Sequence, residues 1–167
     1  MKLFSKIKNW QFFLVIMIIS MFTRDRTSML ITITLFLTLF SLWTYSISIL
    51  GQKKLCDIGL RGQNTRLLTI AGCLMPISWL ISALFSCRLI TVNRDDFLLR
   101  GFLIFISIVF CIAGAYMIYF ASRTYKTLAM NSQPKFIKIV PVMIGMLFFP
   151  IGIWFIQPKI NKIIGND

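Results

Sequence analysis

The chain has 167 residues, 57% of them hydrophobic, and carries a net charge of +13 from eighteen Lys and Arg against five Asp, with no Glu and no His. Its mean hydropathy of +0.82 excludes an ordinary soluble domain. None of its charges falls within its four longest apolar runs, so proton relays and acid–base catalysis inside a membrane have no group to use.

The first element is a basic start, Lys2, Lys6 and Lys8, followed by an apolar run over residues 10–22. The pattern resembles a signal peptide, but no small-x-small cleavage site follows, so the segment is expected to stay attached. It is apolar on all sides except at Gln11 and Ser20, which argues against a helix lying in the interface. It is read as a short fifth span or as a membrane-embedded helix.

Four longer runs follow at residues 28–50, 67–87, 101–122 and 139–157. Roughly 20 apolar residues are needed to cross ~30 Å of hydrocarbon, and there only a helix satisfies its own backbone without an edge. The expected fold is therefore all-α, a polytopic membrane bundle forming one integral membrane domain over residues 1–167. Four long transmembrane helices are joined to the short N-terminal hydrophobic one, and the connections are short enough to make neighbours antiparallel.

Charge counting bears on topology. If residues 10–22 cross, eleven Lys and Arg fall on the side of loops 51–66 and 123–138 and seven on the other; if they do not, the division is ten to eight. The positive-inside rule favours the first arrangement, with the two basic loops cytoplasmic. The shortness of the segment favours the second.

The run over 28–50 carries the most regular pattern. Thr27, Thr34, Ser41 and Ser48 recur every seven residues, with Thr38, Tyr45 and Gln52 on a second track. Thr34, Thr38, Ser41, Tyr45 and Ser48 are thus candidates for an oligomer seam or a pore lining. The plainer alternative is packing within one protomer, at roughly 0.6 to 2 kcal/mol per interhelical hydrogen bond. Ser78, Ser82 and Ser86, and likewise Ser107, Cys111, Gly114 and Ala121, form smaller faces expected to be packing seams.

In the last run Pro141 and Pro150 are expected to kink the helix, because each removes a backbone donor. The closing stretch 150–161 resembles the ends of small bacterial inner-membrane proteins, a resemblance of a dozen residues that implies no activity. Cys56, Cys73, Cys87 and Cys111 show no metal-ligand spacing and have no His to join them, so neither metal nor cofactor is expected.

The basic connections are the candidate contact surface. Lys53, Lys54, Arg61 and Arg66, with Arg123, Lys126, Lys135 and Lys138, would face anionic lipid or an acidic cytosolic protein. Nucleic acid is disfavoured, since these connections offer few aromatics for stacking besides Tyr125. Arg94, Asp95, Asp96 and Arg100 make a compact charged turn with too few oxygens for a divalent ion.

The function expected from these residues is that of a non-catalytic membrane subunit, not an enzyme. It would homo-oligomerise in the bilayer of a bacterial inner membrane and anchor or regulate a cytosolic partner, as a sensor or scaffold in a small system such as antiphage defence. The alternatives are an oligomeric pore lined by the Thr/Ser stripe and an immunity protein against a pore-forming toxin.

Overall fold

The computed structural model describes residues 25–60, 62–86 and 97–148, together with Ile18, Ile156, Pro158, Lys159, Lys162 and Ile163. The apolar run at residues 10–22, Ile18 apart, lies outside this set, as do Arg61, Asp95, Asp96 and Pro150. The described residues form four helices, α1 (Arg26–Asp57), α2 (Arg66–Ser86), α3 (Phe97–Met130) and α4 (Phe136–Leu147), and there is no strand among them. α1, α2 and α3 are each long and apolar enough to cross a membrane, whereas α4 has only 12 residues. The expected count of four long spans plus an N-terminal helix is not reached among the described residues, which hold three long helices and one short one.

Each helix starts and stops for a local reason. At the start of α1, Ser28 Oγ accepts the Asp25 amide at 2.9 Å and donates to the Asp25 carbonyl at 2.8 Å. At its end, Gly59 adopts φ +73°, its amide bonds the Cys56 carbonyl, and the Leu60 amide reaches back to the Leu55 carbonyl. That 6→1 and 5→2 pair is a Schellman turn, which needs a left-handed residue at this position. Asn64 then presents Oδ1 to the Arg66 amide at 2.9 Å and opens α2. Asn131, at φ 49°, ends α3 in the same left-handed region.

α1 and α3 overrun the expected spans. Hydropathy stops at residue 50 and at residue 122, but the helices continue to Asp57 and Met130. Thirty-two and thirty-four residues correspond to ~48 and ~51 Å of helix, well beyond ~30 Å of hydrocarbon. Lys53, Lys54, Arg123 and Lys126 thus sit on rigid helix ends, where a loop was expected. The cause is that Lys, Arg, Leu and Ala are good helix formers, so charge ends a span without ending a helix.

α4 departs in the other direction. It runs through Pro141 without interruption and ends at Phe148, where φ −84° and ψ 58° leave the helical region. The expected continuous run to residue 157 is not seen. Pro141 is the sixth residue of α4, and the carbonyl left without an amide is that of Ile137, whose residue is 81% exposed. Pro76, unremarked in the sequence, lies in the middle of α2.

α3 is the hub and packs against α1, α2 and α4. The core joins Phe40, Trp43 and Ile47 of α1 to Leu68 and Met75 of α2, Met117 and Phe120 of α3, and Met146 of α4. Outside it, Ile31, Leu35, Leu42, Ile70, Ile77, Ile104, Phe105 and Ile112 all stand exposed. Fewer than two in five residues in the most apolar stretch of each long helix are buried. A surface this apolar around helices of this length is that of a transmembrane protein.

Candidate functional site

The helix ends at residues 51–57 and 123–130, the turn before α2 and the start of α4 all lie at one end of the bundle. The closest approach there is at Gly51, where a Cβ would lie 2.5 Å from Thr124 Cγ2 and 3.2 Å from Leu128 Cδ1. Absence of a side chain lets α1 and α3 touch backbone to side chain, the usual device of membrane helices. One residue further on, Gln52 is 6% exposed and uses both ends of its amide. Its Nε2 donates to Thr124 Oγ1 at 2.8 Å, and its Oε1 accepts the Gln63 amide at 2.6 Å. A single side chain therefore ties α1 to α3 and pins the turn leading into α2.

Around this tie stand the cations. Lys53, Arg66, Lys135 and Lys138 are exposed, while Lys54, Arg123 and Lys126 are half-buried; Arg61 lies outside the described residues. Arg123 is held in place: Nη1 donates to Tyr119 Oη at 3.4 Å and Nη2 to Gln133 Oε1 at 2.9 Å. Asp57, exposed at the tip of α1, is the acidic residue among those described at this end. The surface is rigid in backbone and strongly positive.

The hydroxyl stripe of α1 splits into two halves. Ser41, Ser48 and Gln52 are buried in the protomer, and so are Thr44 and Ser46, which lie on neither expected track. Thr34 bonds the Leu30 carbonyl, Thr38 that of Thr34, Thr44 that of Phe40 and Ser48 that of Thr44, each at 2.8–2.9 Å. Ser41 Oγ instead meets Met75 Sδ at 3.6 Å, and Tyr45 Oη lies 3.4 Å from Thr69 Oγ1 on α2. Most of the stripe thus satisfies its own helix and packs on α2 and α3. Thr34 and Thr38 remain half-exposed, beside Ile31, Leu35 and Leu42 on the outer face.

The other small faces behave similarly. Ser78 is buried and bonds the Met75 carbonyl, whereas on α3 Gly114 and Ala121 are buried but Ser107 and Cys111 face outward. Trp43 is 1% exposed beside Phe40, and Trp79 packs on Phe110 with ring centroids 6.0 Å apart. No group of three or more His, Cys, Asp or Glu comes together among the described residues.

The sequence did not single out Thr124, Tyr119 or Gln133 as members of this end. The signals available were weak: Thr124 lies two residues beyond the hydropathic boundary, and Gln133 sits in the connection before α4. Comparison with family models, with curated proteins and with solved structures found no match.

Proposed function

We propose that this protein is a non-catalytic membrane subunit that homo-oligomerises and presents a stiff basic platform to an acidic cytosolic protein. The observation that carries it is the pair of helix ends beyond the bilayer, bound to each other through Gln52 and Thr124 and carrying Lys53, Lys54, Arg123 and Lys126. Cations on a fixed backbone lose little conformational freedom on docking, and their field steers an oppositely charged partner to one register. Loops would offer the same charge at a greater entropic cost.

Oligomerisation would use the outer face of α1. Ile31, Leu35, Thr38 and Leu42 are spaced four, three and four residues apart, which aligns them along one side of the helix. All but Thr38 are exposed, and Thr38 is half-exposed. The immunity reading has no observation that favours it. The pore reading is weakened because Ser41 and Ser48 are used within the protomer.

The test is charge reversal in the full chain. Lys53→Glu, Lys54→Glu and Arg66→Glu together are expected to release a protein that co-purifies with the wild type from mild detergent, with insertion unchanged. A partner that stays bound refutes the docking surface. For the seam, Thr38→Cys in a background with the native Cys changed to Ser is expected to give an oxidised dimer in native membranes. Monomer alone refutes it.

A further inference from the structure

Between α3 and α4 lies a groove of about 330 Å³. Ala115 and Ile118 line it from α3, and Phe136, Val140, Ile144 and Leu147 from α4, with no polar side chain among the lining residues. Ile118 is buried at its floor, while Phe136, Ile144 and Leu147 are each more than half exposed, so it opens sideways. An apolar concavity of this kind does not hold water. Facing hydrocarbon, it takes an alkyl chain.

Its position fixes the depth of that chain. α4 begins at the basic end and stops after 12 residues, ~18 Å of helix, against ~15 Å for half of a ~30 Å hydrocarbon layer. The groove is therefore one leaflet deep. At its basic end Phe136 meets Tyr119, with ring centroids 6.4 Å apart, and an aromatic pair at this level suits a headgroup boundary.

The chemistry at the mouth selects the headgroup. Arg123 is fixed there by Tyr119 and Gln133, with guanidinium N–H groups to spare. Lys126 lies eleven residues after Ala115, about three turns up the same face of α3. Lys135 is the N-cap of α4, exposed and without a side-chain hydrogen bond to the first turn, so its charge adds to the positive end of the helix. Asp57 lies on α1, which does not line the groove. A positive mouth over a dry slot of leaflet depth is complementary to an amphiphile with an anionic head.

We propose that the α3–α4 groove is a binding site for one anionic phospholipid, with an acyl chain along α4 and its phosphate held by Arg123, Lys126 and Lys135. Arg123 and Lys126 of the basic platform would then serve the lipid, and contact with a protein would rest on Lys53 and Arg66, carried by α1 and α2. The lipid would also wedge α4 against the hub helix.

The test uses the full chain in nanodiscs of equal phosphatidylglycerol and phosphatidylcholine, released into mild detergent for native mass spectrometry. One phosphatidylglycerol per protomer is expected to be retained in preference to phosphatidylcholine. Lys126→Gln with Lys135→Gln is expected to lower that retention roughly tenfold or more, given the strength of such contacts, and Lys53→Gln with Arg66→Gln to leave it unchanged. Equal retention of the two lipids, or equal loss with both pairs of substitutions, overturns the site. A photo-crosslinking residue at Ile144 identifies the occupant without any change of charge. A lipid adduct supports the proposal, and an adduct to a second copy or to the chain's own residues refutes it.

Discussion

Replacing Gln52 by Met removes both arms of the amide while keeping its volume. Two hydrogen bonds are lost, each worth about 1 kcal/mol net, and a buried partner left unsatisfied would cost about 1–3 kcal/mol more. Relaxation offsets part of this. Thr124, fully buried in α3, can turn its hydroxyl to the carbonyl one turn back, and the Gln63 amide is half-buried and can reach water. The expected loss is therefore about 1–2 kcal/mol, a 5- to 30-fold change in the unfolding constant. Reversible unfolding in mixed micelles, followed by circular dichroism, measures it. Hydrogen exchange of the Gln63 amide should rise at the same time. Thr124→Val removes one of the same bonds, so the double substitution should fall short of the sum by about 0.5–1.5 kcal/mol. Unchanged stability, or strict additivity, would show that the tie does not hold the basic end together.

Gly51→Ala should destabilise by about 1–3 kcal/mol through its 2.5 Å clash with Thr124 Cγ2, because turning the Thr124 side chain away would break its hydroxyl's bond to Gln52. Thr124→Ser keeps the hydroxyl and removes the methyl, and should restore most of the loss in the same melting measurement. Cys56, Cys73 and Cys111 are all exposed in the folded chain, yet they should differ toward a membrane-impermeant maleimide with Cys87 changed to Ser. Cys56, at the tip of α1, should label in sealed vesicles from one side only. Cys73 and Cys111, facing hydrocarbon, should label only after denaturation in SDS. Labelling of Cys111 in intact vesicles would contradict a lipid-facing α3.

The spans were legible because burial in lipid needs only length and apolarity, and residues 28–50, 67–87 and 101–122 each map onto one long helix. Helix ends were not, because hydropathy reports where lipid stops and says nothing of where hydrogen bonding stops. α1 and α3 go on through Lys and Arg until Gly59 and Asn131 supply left-handed residues. The end of α4 was misplaced for a related reason: apolar residues continue to 157, but the helix does not continue past Leu147. The basic residues of the candidate site were found by charge alone. Their bracing was not, since Gln52 meets partners 11 and 72 residues away, and a one-dimensional pattern carries no pairing information of that range.

The stripe on α1 shows what the environment does to a polar residue. In a soluble protein Thr44 and Ser48, both 0% exposed, would be costly core residues; here the alternative to the protein interior is hydrocarbon, where no other partner exists. Small hydroxyls that bond their own carbonyls are nearly neutral to bury, and they let α1, α2 and α3 approach closely. The large apolar side chains are freed to face lipid. The same logic explains why Gln52 lies where α1 leaves the membrane: its amide needs two partners, and only at that level do the turn before α2 and the Thr124 hydroxyl both come within reach. A packing seam that begins as hydroxyls and ends as an amide tie becomes, outside the bilayer, the brace of a charged surface. The buried part of the polar track, from Ser41 to Gln52, is then one structural device, and the basic end is what it holds up.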